Sequence, residues 1–422
     1  MRCMKNNRRH KNWNIVTGTK LTFPEFVTSS GICANCVRDG VCEIGKKARE
    51  GRALFPEPFG NQFGAEKRLP NLEDIQILSE IFGKEVIFRN VETKTKLGGF
   101  DVSLPIVVAA MGSTKVAYNS ASDVAAGAAV AGIPYIIGEN VFPTYGEKGL
   151  KKVINSYLEN FNKLGGFVVQ GNVEDRKVGT LEKGVEFGAH AIEIKLGQGA
   201  KMGLGGEIRF KGKEQVQKYK KIGYTIIERE DRTFERHSSP GSIIKEKLKS
   251  ELIRYSNFNV PIWIKIAVGR NIVEFLEWIN EVKKKENIKI EAVTVDGFGG
   301  GTGMSPWLIM NETSLPSASI LHKIKNKLNY DLIVAGGYSD GIDIAKALML
   351  GADGVGAGRP FVIAANIPNV KGAKGVSNYV SALKEELQMV CACLRKNRLS
   401  EINGMKENLV ALSSESEKMF GL

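Results

Sequence analysis

The sequence predicts an α/β fold in which eight parallel strands close into a (β/α)8 barrel. From about residue 104 onward, eight short apolar runs bounded by glycine alternate with stretches whose apolar residues recur at helical spacing. Together the eight units span roughly 260 residues, which is the usual size of a closed barrel. An open, doubly wound sheet could also hold eight strands, but the length favours the barrel.

The predicted strands are continuous apolar runs, as expected where helices cover the outside of a parallel sheet and side chains fill the inside. They lie at residues 104–110, 134–138, 167–170, 191–196, 261–268, 290–295, 332–336 and 354–358. Apolar residues at helical spacing predict helices at 119–131, 272–285 and 341–350, and a closing amphipathic helix at 376–394.

Three segments fall outside this alternation. Residues 1–103 form an extension that is rich in cysteine near its start, and residues 396–422 form a tail, which leaves 104–395 for the barrel. Residues 203–258 form a long insertion after the fourth strand. An insertion at this point lies on the carboxyl face of a barrel, where long loops usually serve the active site. We therefore predict a functional role for it, such as that of a lid.

The composition limits the classes of function. The chain is 43% hydrophobic and 25% charged, which describes a globular protein. Its net charge of +13 is interspersed with acidic residues and indicates a lysine-rich surface that suits small anionic ligands rather than nucleic acid. No apolar run reaches the ~18–20 residues of a membrane span, and residues 1–14 lack the apolar core of a signal peptide. We therefore expect a cytoplasmic location.

Two glycine pairs lie where the last two predicted strands end. The first is Gly336-Gly337, and the second comprises Gly356 and Gly358, followed by Arg359. The loops after strands seven and eight are the usual phosphate site of a barrel, because backbone N–H groups without Cβ crowding approach an anion closely. A single pair would be typical of a tight turn. Two pairs in consecutive units predict a phosphate site, to which the Arg359 guanidinium adds two charge-assisted hydrogen bonds.

Small residues at two further strand ends predict a surface for a planar ligand. Gly300, Gly301 and Thr302 belong to a glycine-rich loop after the sixth strand, against which a flat ring could lie. Ala110 and Met111 end the first strand, and the soft methionine side chain packs well on an aromatic ring.

Two lysines lie within predicted strands. Lys195 ends the fourth strand and Lys265 lies inside the fifth, both among apolar neighbours. A lysine in a barrel strand either reaches outward to solvent or points to the mouth beside an anion, and two together favour the mouth.

These motifs resemble those of a known family. The runs at 194–206 (IKLGQGAKMGLGG), 295–306 (VDGFGGGTGMSP) and 351–361 (GADGVGAGRPF) resemble the FMN-binding synthase domain of glutamate synthases. The chain is also similar, more distantly, to other FMN-dependent barrels, including 2-hydroxy acid oxidases and flavin-dependent isopentenyl-diphosphate isomerases. The resemblance covers most of residues 90–395.

The resemblance implies a set of site residues. It places the FMN phosphate on Gly336, Gly337, Gly358 and Arg359, the flavin ring over Ala110 and Met111, and the polar ring edges near Gln170, Lys195 and Lys265. It also places Gln198, Lys201 and Glu139 beside the flavin and a bound 2-oxoglutarate, as the catalytic residues.

The chain departs from the family pattern within the same motif. Met202, Leu204 and Glu207 stand where the family has proline, glutamate and glutamine. Glu207 places a carboxylate where an anionic substrate is expected, which opposes the 2-oxoglutarate assignment. His237, in the insertion, is either a proton carrier or merely an exposed side chain.

Three cysteines lie close together near the start of the chain. Cys33, Cys36 and Cys42 predict an iron–sulfur cluster of three or four irons, with zinc or unliganded thiols as alternatives. Cys3 is one candidate for a fourth ligand. Cys391 and Cys393 are predicted to be core residues.

The resulting functional hypothesis is an FMN-dependent oxidoreductase that aminates 2-oxoglutarate or a related 2-oxo acid to glutamate. The chain shows no dinucleotide-binding motif, no ferredoxin-type cysteine run and no glutaminase domain, so we expect separate electron-donor proteins and a glutaminase or free ammonia. Alternatives are another FMN-barrel reaction, such as an isomerisation or a methylamine–glutamate type transfer, and a flavin and iron–sulfur electron-transfer subunit. A homo-oligomer is also possible.

Overall fold

The structure is a computed structural model that describes residues 69–199, 202, 207–230, 232–239, 243–297, 313–366, 370 and 372–422. Within these ranges, eight parallel strands form a closed barrel in chain order. The strands are β1 (Ile106–Met111), β2 (Tyr135–Ile137), β3 (Phe167–Gly171), β4 (Ala191–Lys195), β5 (Ile262–Ala267), β6 (Ile290–Asp296), β7 (Asp331–Ala335) and β8 (Gly354–Ala357). Because β8 pairs with β1, the sheet has no edge there, so the predicted barrel is confirmed and the open sheet is excluded.

Helices connect the strands and cover the barrel. They are α1 (Lys115–Ala131), α2 (Val141–Leu158), α3 (Val173–Lys177), α4 (Thr180–Glu186), α5 (Glu214–Ile222), α6 (Lys245–Ser256), α7 (Ile272–Glu286), α8 (Gly341–Met349), α9 (Arg359–Ala364), α10 (Ala373–Cys393) and α11 (Ser414–Phe420). A 3-10 helix, Ser317–Lys323, lies between β6 and β7. The helices predicted from apolar spacing correspond to α1, α7, α8 and α10.

Local sequence explains where α1 begins and ends. The Thr114 hydroxyl accepts a hydrogen bond from the Ala117 N–H at the first turn, and Gly132 ends the helix in the left-handed conformation with φ of 72°. The helix places Ala121, Val124, Ala125 and Ala128 against the strands. On another side of α1, the missing side chain of Gly127 allows the close contact with α10, since a Cβ at Gly127 would lie 2.5 Å from Val376 Cβ.

A β-hairpin closes the amino-terminal end of the barrel. Its strands, Thr95–Leu97 and Phe100–Val102, are antiparallel, and Leu97 packs among lumen side chains that include Trp263. The Trp263 indole Nε1 donates to the Gly98 carbonyl at 2.9 Å, and the Asp331 carboxylate accepts from the Gly98 N–H at 2.6 Å. The hairpin therefore seals the end opposite the functional mouth.

Replacing Gly98 with alanine should destabilise the protein strongly. Gly98 has φ of 60°, and a Cβ there would lie 2.1 Å from a ring carbon of Trp263. Gly404→Ala is a matched control, because Gly404 has φ of 76° with nothing within 4 Å of the added Cβ. We expect the control to lose about 1–2 kcal/mol of unfolding free energy from backbone strain, and Gly98→Ala to lose a further ~1–3 kcal/mol from overpacking. Equal losses in urea unfolding would show that the hairpin contact is loose.

The insertion after β4 forms a small antiparallel sheet. Its strands are Glu207–Phe210, Phe234–His237 and Thr225–Glu228, with Phe234–His237 in the middle. Aromatic residues of this sheet, of α5 and of the turn between them form a separate core cluster of Phe210, Tyr219, Tyr224 and Phe234. Leu248, Leu252 and Tyr255 of α6 instead belong to the main core, so α6 serves as the crossover helix from β4 to β5.

The segments before and after the barrel meet on its surface. Strand Ile75–Ile77 pairs antiparallel with Leu409–Ala411, and Lys346 on α8 donates to the Leu72 carbonyl at 2.7 Å. Among the described helices, none combines the length and the apolarity needed to cross a membrane.

Candidate active site

The carboxyl end of the barrel opens to solvent. Along β1, Ile106, Val107 and Val108 are fully buried, whereas Ala109, Ala110 and Met111 are partly exposed. Gly336, Gly337, Gly358 and Arg359 are partly exposed in the same way at the ends of β7 and β8. Active sites of (β/α)8 enzymes lie at this end, because the loops after the strands can vary without disturbing the barrel.

The structure brings the predicted phosphate glycines close to the predicted ring-binding methionine. Gly336 and Gly337 have φ of 105° and 98°, a conformation that side chains disfavour. Gly358 follows β8, and a Cβ there would lie 3.7–3.9 Å from the Met111 side chain at the end of β1. The pairing of β7 with β8 and of β8 with β1 thus assembles these residues on one side of the mouth.

Polar side chains occupy the lumen above the apolar layer that contacts the hairpin. Glu193 is fully buried, and its two carboxylate oxygens accept hydrogen bonds from the Gln170 amide and from the Thr294 hydroxyl, the latter at 3.1 Å. Lys265 lies beside Asp296, with Nζ 3.3 Å from Oδ2. The predicted residues Gln170 and Lys265 therefore belong to one buried polar group.

Sequence reasoning missed Glu193, Thr294 and Asp296. Inward-facing positions alternate along a strand, so Ala191, Glu193 and Lys195 share one face of β4. Ala292, Thr294 and Asp296 likewise share one face of β6. Polar residues at every second position of an otherwise apolar strand were the available signal.

Burial and the neighbouring charges have opposite effects on the pKa values of Glu193 and Lys265. Burial raises the pKa of Glu193, while Lys265, the hydrogen bonds from Gln170 and Thr294, and Lys195 act to lower it. Burial alone would lower the pKa of Lys265, but Asp296, Glu193 and Glu139 together raise it above the ordinary lysine value. Lys265 is therefore held as a cation inside the barrel, balanced by carboxylates.

Three predicted site residues form a second group at the mouth. The Lys195 ammonium donates to Glu139 Oε1 and to Gln198 Oε1. Lys195 and Glu139 are largely buried, with side chains 10% and 16% exposed. Because the amide oxygen of Gln198 faces Lys195, its nitrogen is the end that can donate to a ligand.

The insertion contacts the loop that carries Glu139. The Tyr224 hydroxyl donates to the Asn140 side-chain oxygen. Arg236 is buried and packs against the rings of both Tyr219 and Tyr224, with its guanidinium carbon 4.7 and 4.5 Å from the ring centres. Its Nη1 donates to Thr144 Oγ1 at 3.2 Å. Arg236, which sequence reasoning also missed, brings a positive charge to this side of the barrel.

Asn140 adopts an uncommon backbone conformation, with φ of 65°. The buried Asp175 carboxylate holds it there by accepting the Asn140 N–H at 2.8 Å, and it also accepts the Thr180 hydroxyl at 3.0 Å. Burial nevertheless raises the pKa of Asp175 to about 7. The position of Glu139 therefore depends on a carboxyl group that titrates near neutral pH.

Asp175 should make stability fall as pH rises. In the unfolded chain an aspartate ionises near pH 4, so between about pH 4 and 7 the folded state binds the additional proton. The free energy of unfolding then decreases with pH, by about 1.4 kcal/mol per pH unit at most for one proton. Asp175→Asn, which stays neutral, should have a flatter dependence between pH 5 and pH 7 in urea unfolding. If the unfolding free energies of the parent and Asp175→Asn varied identically with pH, Asp175 would not be the group that causes the dependence.

Several predicted site residues lie outside the residues that the structure describes. They are Lys201, Gly300, Gly301, Thr302, Cys33, Cys36 and Cys42. Their roles, including the metal site, stay predictions. Among the described residues, no three His, Cys, Asp or Glu side chains are grouped to hold a metal ion.

The remaining sequence predictions concern the insertion and α10. Glu207 lies opposite His237 in the insertion sheet, and His237 Nε2 is 3.1 Å from the Glu235 carboxylate. Cys391 is buried as predicted, but Cys393 is exposed, so its assignment to the core was wrong. Two positions along a helix turn a side chain by about 200°, which places the two thiols on different faces.

Comparison with known proteins supports the sequence-based assignment. The family model for the conserved region in glutamate synthase matches residues 66–371. The archaeal glutamate synthase [NADPH] of Archaeoglobus fulgidus is 27% identical over 303 residues, covering 70% of this chain and 51% of that protein. The corresponding protein of Methanocaldococcus jannaschii is 24% identical over 405 residues, covering 87% of this chain and 74% of its own. The chain thus spans about half of the first relative and three quarters of the second.

Solved structures share the fold. The flavin-binding domain of baker's yeast flavocytochrome b2 has a TM-score of 0.60 at 22% identity, covering 88% of this chain and 84% of that one. A mandelate oxidase variant with an FMN adduct has a TM-score of 0.52 at 16% identity, covering 79% and 87%. At these identities the likeness establishes the barrel alone. The family model, which matches most of the chain, establishes more: the chain belongs to the glutamate synthase family.

Proposed function

We propose that this chain reductively aminates 2-oxoglutarate or a related 2-oxo acid, with FMN as its redox cofactor. The observation that carries the proposal is the Lys195 ammonium at the barrel mouth, bonded to both Glu139 and Gln198. A 2-oxo acid is an anion that needs a cation nearby. The imine formed from it needs a proton donor beside its nitrogen when its carbon accepts a hydride. The mouth supplies both kinds of group.

The described residues fit FMN. Gln170 Oε1 is buried and has no hydrogen-bond partner among them, and an N–H group of a flavin ring would satisfy it. The left-handed glycines Gly336 and Gly337 present backbone N–H groups suited to a phosphate. Met111 lies close to Gly358, so an apolar surface for a ring adjoins the glycines.

The residues that would hold FMN follow from these positions. Its phosphate would contact Gly336, Gly337, Gly358 and Arg359, its ring Ala110 and Met111, and its polar edges Gln170, Lys195 and Lys265. When bound, reduced FMN supplies a hydride from N5. The Lys265 cation suits the negative charge of a reduced flavin.

The side chains of this chain provide orientation and proton handling. Gln198 Nε2 and the Lys195 ammonium are donors for the substrate carboxylate and carbonyl. Lys195 Nζ can hold the proton that the imine nitrogen requires, and Glu139 Oε1 lies within hydrogen-bond reach to exchange it. Arg236 adds positive charge from the insertion. Electrons would come from a separate donor protein, and nitrogen from ammonium or a partner glutaminase.

Glu207 bears on which 2-oxo acid is the substrate. Its carboxylate is expected to repel the distal carboxylate of 2-oxoglutarate, so Glu207→Gln should raise the affinity for that substrate. A 2-oxo acid with a shorter or uncharged side chain should be less sensitive to this substitution.

The proposal is tested by a single-turnover reaction of reduced enzyme. The flavin is first identified as FMN, and not FAD, by heating a separate sample. The unheated holoenzyme is then reduced with dithionite and mixed anaerobically with ammonium and 2-oxoglutarate. We expect the flavin to reoxidise and glutamate to form in a stoichiometric amount. If neither the parent nor Glu207→Gln oxidises its flavin with any 2-oxo acid, the amination is wrong, and an isomerisation or an electron-transfer role on the same barrel takes its place.

A further inference from the structure

The buried carboxylate of Glu193 has no role in the proposed chemistry, yet it contacts a residue of the flavin site. It lies on β4, one inward position below Lys195, and is fully buried. One oxygen accepts from the Gln170 amide nitrogen on β3, and the other accepts from the Thr294 hydroxyl on β6 at 3.1 Å. Both carboxylate oxygens are therefore used as acceptors inside the lumen.

This arrangement fixes which end of the Gln170 amide faces a ligand. An ionised carboxylate only accepts hydrogen bonds, so it requires the amide nitrogen of Gln170 on its side. The amide oxygen then points the other way, where it is buried without a partner among the described residues. Leaving a buried acceptor unsatisfied is unfavourable, and the amide would turn over if Glu193 did not hold it.

We propose that Glu193 is a positioning residue of the flavin site, whose carboxylate holds Gln170 so that its carbonyl oxygen accepts an N–H group of the flavin ring. This inference rests on the proposed FMN site and adds a residue to it. An oxidised isoalloxazine ring carries one such N–H, at N3, flanked by two carbonyl groups. An amide turned the other way would present donors and leave the ring N–H unsatisfied.

Lys265 stabilises this state of Glu193. Its cation acts to lower the pKa of Glu193, against the effect of burial. The lysine also pairs with Asp296 at 3.3 Å. The buried Lys265 cation thus keeps Glu193 ionised, and Glu193 in turn orients the neutral amide of Gln170. This role explains why charged groups occupy a part of the lumen that apolar side chains could fill.

The test exchanges the two functional groups. In Glu193→Gln, the new amide can donate to Gln170, so the Gln170 amide can turn over and present its nitrogen to the flavin. In the double variant Glu193→Gln/Gln170→Glu, the residue at 170 is an acceptor on every side, and the total charge of the wild type is restored. Thr294→Val is the matched control, because it removes the other hydrogen bond of Glu193 without touching the Gln170 contact.

The measured quantities are the FMN dissociation constant of the full chain and the resonance of FMN labelled with 15N at N3. We expect Glu193→Gln to weaken FMN binding by about 10–100-fold, the range for losing a hydrogen bond and burying its partner. Its N3 resonance should move toward that of an unbonded ring. Thr294→Val should change affinity by less than about threefold, and the double variant should recover both the affinity and the N3 resonance.

The outcomes separate the two proposals. Wild-type protein that binds no FMN ends the proposed function, and this inference with it. Wild-type protein that binds FMN, with Glu193→Gln binding equally well and an unchanged N3 resonance, overturns the inference alone. If Glu193→Gln does not fold, the charge-conserving double variant carries the test, and weak FMN binding or an unbonded N3 resonance in that folded protein overturns the inference.

Discussion

Replacing Lys195 with methionine should reduce the rate of amination by about 10²–10³-fold, the loss typical of removing one donor that stabilises developing charge. Lys195 is bonded to both Glu139 and Gln198, so the variant loses the cation for the substrate and also the group that orients two neighbours. Methionine keeps a similar length and an apolar stem. The loss should therefore appear in chemistry rather than in folding.

Single-turnover kinetics with the reduced enzyme measure this effect. Lys183→Met is the control, because Lys183 makes the same kind of pair with Glu186 and Glu147 on the outer surface. The control should react like the parent. If Lys195→Met retained the parent rate with unchanged FMN binding, Lys195 would have no part in the reaction, and the observation that carries the proposed function would be lost.

Replacing Lys265 with methionine should lower the stability of the barrel by about 3–5 kcal/mol, the range for leaving buried charges without their partner. Lys265 is 6% exposed and lies 3.3 Å from the Asp296 carboxylate. Without it, Asp296 loses its paired cation, and Glu193 loses the stronger of the two lysine charges that act on it. The same substitution removes a cation from the flavin site, so FMN binding should weaken as well.

The pH dependence identifies the cause of this loss. In Lys265→Met the pKa of Glu193 should rise further above its unfolded value, since burial already raises it and Lys265 opposes that rise. A carboxyl with a raised pKa takes up a proton on folding, so the stability of the variant should recover as pH falls from 8 to 5. The double variant Lys265→Met/Asp296→Asn should recover part of the loss at pH 8. A deficit that is independent of pH would point to packing instead of charge.

Much of the fold could be read from local sequence. The eight glycine-bounded apolar runs became the eight strands, and apolar spacing located α1, α7, α8 and α10. These signals are local, because the periodicity of a strand or helix is visible within about ten residues of sequence. The same reading placed Lys195 and Lys265 at the mouth, since all strand ends of a parallel barrel meet on one face. The contact of Gln170 with a flavin was instead implied by the family resemblance.

The contacts between distant residues were decided only by the tertiary structure. Glu193 bonds Thr294, which lies 101 residues away along the chain, and the Gly98 hairpin closes the barrel against Trp263, 165 residues away. Such pairs depend on how the barrel closes and on the stagger of its strands, and no local sequence pattern predicts either of these. The sequence by itself determined the strands, the glycines and the residue types of the site. Closure of the sheet determined which buried charges face one another, because a side chain's partner is set by the strand across the lumen and not by its neighbours in the chain.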